Sequence, residues 1–248
     1  MTAPVFLVTA ATLADLSVGD EVTLDGPEGR HAFVVQRRRV GERIDLVDGA
    51  GTRASTRIAQ VTGTTAELVV ESVTYEAEPT VRISLAQALA KGDRDELAIS
   101  AATEVGVDEI VPWQADRSIV VWRGDRAAKS RARWHAAVDT ATKQSRRARR
   151  PVVHTEVDTN GLVDLVQQVA ASLVLDADAT KAFADLVLPT AGTILVIVGP
   201  EGGISEEELT ALTTAGAQPV RLGPHVLRTS TAGPIAIALL AERLGRWA

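Results

Sequence analysis

An apolar run passes directly into a glycine-rich loop at ILVIVGPEGGIS, residues 194–205. The first five side chains are Ile, Leu or Val, which is typical of a strand buried on both faces of a parallel sheet. Ser205 and Glu208 have the spacing of a capping box, so a helix should begin just after Ser205. A strand, a tight loop and a helix in this order form the sheet edge at which α/β folds bind ligands.

The chemistry of this loop favours a cationic ligand over a phosphate. Neither the Walker A pattern nor G-x-G-x-x-G occurs in it. Glu206, Glu207 and Glu208 occupy the predicted first helical turn, where the helix dipole would otherwise attract an anion. Three carboxylates would repel a triphosphate, whereas S-adenosylmethionine combines a neutral purine with a cationic centre. The alternative is that the glycines only turn the chain.

A second loop has a similar setting. It reads LGPHVLRTSTAGP, residues 222–234, and lies between a short strand pattern at 218–222 and an apolar helical pattern. Arg228 is its only charged side chain. A buried or half-buried arginine needs a carboxylate, a carbonyl or a ligand phosphate as its partner, so Arg228 either pairs within the fold or contacts a ligand.

Strand and helix patterns alternate from Val81 onward. We predict strands at 81–86, 110–113, 172–175, 193–198 and 218–222, and helices at 93–105, 129–147 and 232–244. Alternation of this kind predicts an α/β domain in which helices cover a parallel sheet.

The N-terminal region has a different pattern. Short β-branched and alternating segments at 5–8, 31–38, 43–47, 54–61 and 66–73 predict strands, and Asp48-Gly49-Ala50-Gly51 supplies a hairpin turn. Such spacing indicates a small barrel or sandwich. We place the boundary at the polar stretch 75–79, which gives domains 1–75 and 76–248 in an α+β protein.

Composition excludes several classes of protein. The 248 residues include no cysteine, so disulfides and Cys-ligated metals are ruled out, and the four scattered histidines lack ligand spacing, so we predict no metal site. No apolar run is long enough to span a bilayer, and the N-terminus lacks the basic segment of a signal peptide. We therefore expect a soluble, cytoplasmic protein.

The net charge of −6 conceals a strongly basic segment. Residues 123–150 contain ten basic and two acidic side chains, a balance of +8, which leaves −14 for the rest of the chain. A smaller basic run lies at Arg37-Arg38-Arg39. A concentration of one sign indicates a polyanion as partner, with a solvated face as the alternative.

The two loops together resemble the RsmE family of ribosomal RNA methyltransferases, in the SPOUT superfamily. The specific matches are VGPEGGIS at 198–205 and LGPHVLRTSTA at 222–232. Weaker matches follow the family's order at 90–94, 102–107, 116–118 and 144–147.

This resemblance implies an N-terminal PUA-like β-barrel and a C-terminal SPOUT methyltransferase domain with a trefoil knot. It also implies a homodimer that uses S-adenosylmethionine to methylate N3 of one uridine in 16S rRNA, either free or in the assembled small ribosomal subunit. The implied cofactor site comprises Leu175, Gly199, Glu201, Gly202, Gly203, Leu222, Gly223 and Leu227, and Arg228 would face the reacting region. The residues expected to contact RNA are Arg37, Arg38, Arg117, Arg146, Arg147 and Arg149.

Arg228 is the candidate catalytic residue, because an arginine could stabilise negative charge on O2 or O4 of uracil while the N3 proton is lost. For the base, Glu201, His225, a water and the cofactor carboxylate stay open. The chain has Ala101, Lys143 and Ser230 where the family usually has Lys, Glu and Glu. These departures make a non-catalytic RNA-binding or ribosome-assembly protein with the same fold conceivable. The other rivals are a SPOUT enzyme with another RNA target and a phosphate-binding enzyme.

Overall fold

The computed structural model describes residues 3–247 and divides into two compact units. The first unit contains the described residues up to Glu78 together with Thr142–Arg150. The second contains Pro79–Ala141 and the described residues from Pro151 onward. The inclusion of Thr142–Arg150 in the first unit was not predicted from the sequence. Within residues 3–247, no helix is long and apolar enough to cross a membrane.

The first unit is built on a five-stranded sheet in the order β1-β3-β4-β5-β2. All of its strand pairs are antiparallel except β1 with β3. Since β1 and β2 are the two edges, the ladder is open over the described residues, and the predicted barrel is not confirmed. The elements are β1 (Val5–Leu7), α1 (Ala10–Leu13), β2 (Glu21–Leu24), α2 (Gly26–Arg30), β3 (Arg43–Val47), β4 (Thr52–Thr62) and β5 (Thr65–Tyr75).

The prediction of a strand at 31–38 is wrong. Helix α2 continues there into a π-helical turn over His31–Val35. Pro27 stands at the start of α2, a position where proline favours a helix. Val34 and Val35 are 49% and 63% exposed, so their β-branched side chains gain no burial that would favour a strand. The sequence also missed strand β2.

An ion pair and an apolar contact help to hold residues 142–150 within the first unit. The Lys143 ammonium lies 2.7 Å from Glu28 Oε1, and each side chain is 23% exposed. Ala148 is 2% exposed and packs with Val5 and Val47. Lys143, one of the departures from the family pattern, therefore has a partner of opposite charge inside its own unit.

The Arg149 side chain of this segment is bonded at several points within the first unit. Its Nε donates to the carbonyl of Glu76 at 2.8 Å, and its Nη2 donates to the hydroxyl of Tyr75 at 3.0 Å. The guanidinium also lies over the Tyr75 ring at 5.4 Å and 3.6 Å from Glu78 Oε1. The side chain is only 13% exposed, so this predicted RNA contact is engaged within the protein.

The second unit has a six-stranded sheet in the order β11-β9-β10-β6-β7-β8. Every pair in it is parallel, which confirms the predicted sheet type. The elements are β6 (Val81–Ala88), α3 (Arg94–Glu104), β7 (Glu109–Trp113), α4 (Asp125–Gln144, whose last three residues belong to the first unit), β8 (Val152–Val153), α5 (Thr159–Gln168), β9 (Ala171–Leu175), β10 (Gly192–Val198), α6 (Glu206–Thr214), β11 (Gln218–Val220) and α7 (Thr229–Arg243).

Strand β10 is buried on both faces. Ile194, Val196 and Val198 join a core that also receives side chains from α3, α4 and α7. Leu195 and Ile197 point the other way, into a core with side chains from α5 and α6. This two-sided burial explains why the strand is apolar at every one of these positions, because neither set of alternating side chains meets water.

Replacing Arg149 by alanine should destabilise the first unit by about 2 kcal/mol, because a mostly buried guanidinium loses its hydrogen bonds. Denaturant unfolding followed by absorbance of Tyr75, the single tyrosine of the chain, measures this loss. Emission from the four tryptophans reports the second unit separately, since all four lie there. Exposed Arg39 provides the control Arg39→Ala. Equal unfolding free energies for the two variants would contradict a structural role for Arg149.

Candidate functional site

A cleft of about 670 Å³ lies in the second unit, at the carboxyl ends of β9, β10 and β11. Three loops and the start of α7 supply most of its lining. They contribute Leu175, Asp176, Ala177 and Asp178 after β9, Gly199, Pro200, Glu201, Gly203 and Ile204 after β10, and Arg221, Leu222, Gly223, His225, Val226, Leu227 and Arg228 after β11. Parallel strands end at the same edge of a sheet, so loops far apart in sequence meet here.

The structure brings together seven of the eight residues predicted for a cofactor site. Leu175, Gly199, Glu201, Gly203, Leu222, Gly223 and Leu227 all line the cleft. Gly202 is outside the lining, and its carbonyl accepts a hydrogen bond from Arg117 Nη1 at 3.1 Å. Arg117, predicted as an RNA contact, therefore lies beside the glycine loop and lines the cleft itself.

The capping box predicted at the start of α6 is confirmed. Ser205 Oγ accepts from the backbone N–H of Glu208 at 3.1 Å, and Glu208 Oε2 accepts from the backbone N–H of Ser205 at 3.0 Å. Glu208 is only 2% exposed, and its other oxygen accepts from Asp116 N and Thr159 Oγ1. One of the three glutamates used to argue against phosphate is thus directed inward, and only Glu206 and Glu207 are exposed.

Two glycines give the loop its shape. Gly203 has φ +75°, in the left-handed region that other residues rarely adopt. Gly199 lies against Ile204, where an added Cβ would come within 2.6 Å of Ile204 Cγ1. The loop after β10 therefore folds back closely on itself, and its backbone faces the cleft without an intervening side chain at these positions.

Glu201 is held by the segment before α3. Its Oε1 accepts from Arg94 Nη1 at 2.6 Å and from the backbone N–H of Lys91 at 3.2 Å. Burial raises the pKa of the Glu201 carboxyl, but hydrogen bonds from its own backbone, Arg94 and Lys91 outweigh that effect and lower the pKa. A carboxylate with a lowered pKa is a weak base, so Glu201 is a poor candidate for removing a proton.

Arg228 lines the cleft at the N-cap position of α7. Arg228 is exposed, so it does not need the internal partner that a buried or half-buried arginine requires. Its guanidinium makes no hydrogen bond or ion pair with the rest of residues 3–247. Its positive charge and its donors are therefore available to a group that enters the cleft.

Sequence reasoning missed several residues of the lining. Arg94 lies in one of the weaker family matches, but its contact with Glu201 spans 107 positions and has no local signal. Asp176 and Asp178 follow β9 directly, and Asp176 Oδ1 accepts from the Asp178 backbone N–H at 3.0 Å. The rule that ligands bind at the carboxyl ends of parallel strands could have indicated both.

The other predicted RNA contacts lie in the first unit. Arg37 is exposed, with φ +55°, and Arg38 pairs with Glu42 at 3.4 Å. The carbonyl of Arg146 accepts from Arg53 Nη2 at 2.6 Å. Arg147 is partly buried, and Arg149 is engaged as described above. In the part of the chain that the structure describes, no cluster of three or more His, Cys, Asp or Glu could hold a metal ion.

Comparison with known proteins gives a consistent family. The family model described as an RNA methyltransferase domain matches residues 76–241. The chain is similar to ribosomal RNA small subunit methyltransferase E of Mycobacterium tuberculosis (strain CDC 1551 / Oshkosh), with 43% identity over 95% of this chain and 91% of that protein. The protein of the same name from Bacillus subtilis (strain 168) is 30% identical over 88% of this chain and 89% of its own.

A solved structure shares the fold over nearly the whole chain. It is a ribosomal RNA small subunit methyltransferase E from Neisseria gonorrhoeae bound to S-adenosyl methionine, with 32% identity, a TM-score of 0.85 and 98% of each chain covered. Sequence and fold thus agree along both units. The chain belongs to the ribosomal RNA small subunit methyltransferase E family of RNA methyltransferases.

Proposed function

We propose that this protein uses S-adenosylmethionine to methylate N3 of one uridine in the 16S rRNA of the small ribosomal subunit. The observation that carries the proposal is the cleft that joins the glycine loop to the exposed guanidinium of Arg228. Family membership supports the reaction class, and the relative from Neisseria gonorrhoeae was crystallised with the same cofactor. The uridine and its N3 atom come from the resemblance of the two loops.

The residues of the cleft fit an adenosyl cofactor. A volume of about 670 Å³ lies within the usual range for small-molecule sites. Leu175, Ile204 and Leu227 offer apolar surface for a purine, while Asp176 and Glu201 offer negative charge near a sulfonium. The close turn at Gly199 and Gly203 lets backbone groups face the ligand directly.

When bound, S-adenosylmethionine supplies an already activated methyl group. The chain's own residues then have to orient the base and stabilise the charge that develops on it. Arg228 would donate to O2 or O4 of uracil and so lower the pKa of N3–H. Since Glu201 is a weak base, His225 is the one remaining side chain among the candidates named from the sequence, and it lines the same cleft.

The proposed RNA contacts are Arg37, Arg38, Arg117, Arg146, Arg147 and Arg149. Arginine suits this task because its planar fork binds phosphate oxygens in pairs. Exposed Arg37 and Arg117 support it most directly, whereas Arg149 would have to exchange its present partners for RNA. The proposal also includes a PUA-like role for the first unit, the trefoil knot, a homodimer and a cytoplasmic location, each supported by the resemblance alone.

Replacing Gly203 by alanine should weaken S-adenosylmethionine binding at least tenfold, because a Cβ disfavours the backbone conformation at φ +75° that shapes the loop. Calorimetric titration measures the dissociation constant. Gly216→Ala is the matched control, since Gly216 also has positive φ (+112°), has open space around its Cβ position and lies outside the cleft lining.

The two glycine variants should lose similar thermal stability, and only Gly203→Ala should lose affinity. If the wild type binds S-adenosylmethionine saturably and Gly203→Ala binds it with the same affinity, the loop is not part of the cofactor site. If the folded wild type does not bind at all, the non-catalytic RNA-binding protein becomes the better account. Tight competition by ATP would favour the phosphate-binding enzyme.

Replacing Arg228 by alanine should lower kcat for methyl transfer to the small ribosomal subunit by about 100-fold, the usual effect of removing one donor to a developing oxyanion. The dissociation constant of S-adenosylmethionine should change less than twofold. Arg228→Lys keeps the charge and should recover part of kcat. Equal losses of kcat and cofactor affinity would show that Arg228 only supports the pocket.

A further inference from the structure

Gln87 is a fully buried amide in an otherwise largely apolar strand. It lies near the end of β6, beside Val198 of β10, and its exposed fraction is 0%. Its Nε2 donates to Thr229 Oγ1 at 2.9 Å and to the carbonyl of Ala88 at 3.2 Å. A buried amide is costly unless its polar atoms are paired, so its contacts are informative.

The hydroxyl of Thr229 gives this chain of hydrogen bonds a direction. Thr229 Oγ1 donates to the carbonyl of Gly199 at 2.8 Å. A hydroxyl has a single hydrogen, so the same oxygen must accept the bond from Gln87, and only the amide nitrogen can supply it. The amide orientation follows, and Gln87 Oε1 has no partner within residues 3–247. We call Gln87, Thr229 and Gly199 the relay.

The relay connects two walls of the cleft. Gly199 is the first residue of the loop after β10, and Thr229 begins α7 directly after Arg228. Both residues line the cleft. Within the described residues, the bond from Thr229 to Gly199 is the one hydrogen bond between segments 198–205 and 221–229. The one hydrogen bond between these walls is therefore made by a single hydroxyl, and that hydroxyl accepts a bond from Gln87.

We infer that Gln87 is a positioning residue that sets the geometry of the cofactor cleft through Thr229, without touching the ligand. It fixes the rotamer of Thr229, which holds the Gly199 carbonyl and the start of α7 at one separation. This inference rests on the proposed function, because it assigns a role in cofactor binding. An amide at position 87 supplies this donor, since an apolar side chain would leave the Thr229 hydroxyl with only its bond to Gly199 to orient it.

The first test measures affinity for S-adenosylhomocysteine by calorimetry, at a temperature where every variant is folded. Thr229→Val and Gln87→Met keep the side-chain size but break the relay, and each should weaken binding at least tenfold. Thr229→Ser keeps the hydroxyl and should bind within about threefold of wild type. The double variant should be no weaker than Thr229→Val, because both changes break the same relay.

Thr56→Val is the matched control for losing a buried hydroxyl. Thr56 is 0% exposed, donates to the carbonyl of Ile44 at 2.9 Å and lies in the first unit. The Thr56→Val variant should have a lower thermal midpoint than wild type and an unchanged dissociation constant for S-adenosylhomocysteine. If Thr229→Val and Gln87→Met both bind S-adenosylhomocysteine with the wild-type dissociation constant, the inference is wrong. The proposed function would be unaffected by that result.

A second measurement needs no ligand, so it tests the relay even if the wild type does not bind S-adenosylhomocysteine. Failure of the wild type to bind would count against the proposed function. Amide hydrogen exchange in residues 199–205 should be at least tenfold faster in Gln87→Met than in wild type, because the glycine loop loses its tie to α7. Thr56→Val should not change exchange there. Equal protection of this segment in Gln87→Met and wild type would overturn the relay.

Discussion

The architecture of the second unit depends on a strand with no solvent face. Strand β10 places Ile194 and Val196 in one core and Leu195 and Ile197 in the other. A shift of one residue would exchange the two sets, so packing on both sides fixes the register of the strand. The point at which the chain leaves the sheet, after Val198, is thereby fixed as well. The register of β10 therefore determines where the glycine loop and the cleft lie.

Two carboxylates near the loop are held by hydrogen bonds within the protein. Glu208 is turned inward and accepts hydrogen bonds from the backbone N–H groups of Ser205 and Asp116, while Glu201 faces the cleft and is held by Arg94. Arg228 has the opposite character, because it is exposed and lacks a partner among the described residues. In this site Glu201 is thus restrained by its partners, whereas Arg228 is open to a ligand that enters the cleft.

Basic side chains have different roles in the first unit. Arg149 stacks on Tyr75 and bonds to the backbone, and Lys143 pairs with Glu28, so both stabilise the first unit. Arg37 is exposed in the same unit, at a position with positive φ. Counting charges along the chain treats these side chains alike. Their surroundings separate structural pairing from availability to a polyanion, because a guanidinium already satisfied by the fold has less to gain from a phosphate.

The sequence alone determined the parallel sheet and the capping box at Ser205, because these follow from periodicity and cap spacing that act over a few residues. The family resemblance supplied seven residues of the cleft lining. The sequence also identified Arg228, but not that this side chain is exposed. It misread residues 31–35, where a local helix start outweighed β-branched composition.

Only the tertiary structure decided which polar groups meet. Gln87 reaches Thr229 across 142 positions, Arg94 reaches Glu201 across 107, and Arg149 reaches Glu76 across 73. Such contacts leave no periodic trace in the chain, since one partner's position is set by a different strand or loop. The first two contacts exist because parallel strands of the second unit bring their carboxyl ends together. The third exists because a mostly buried guanidinium needs partners wherever packing places it.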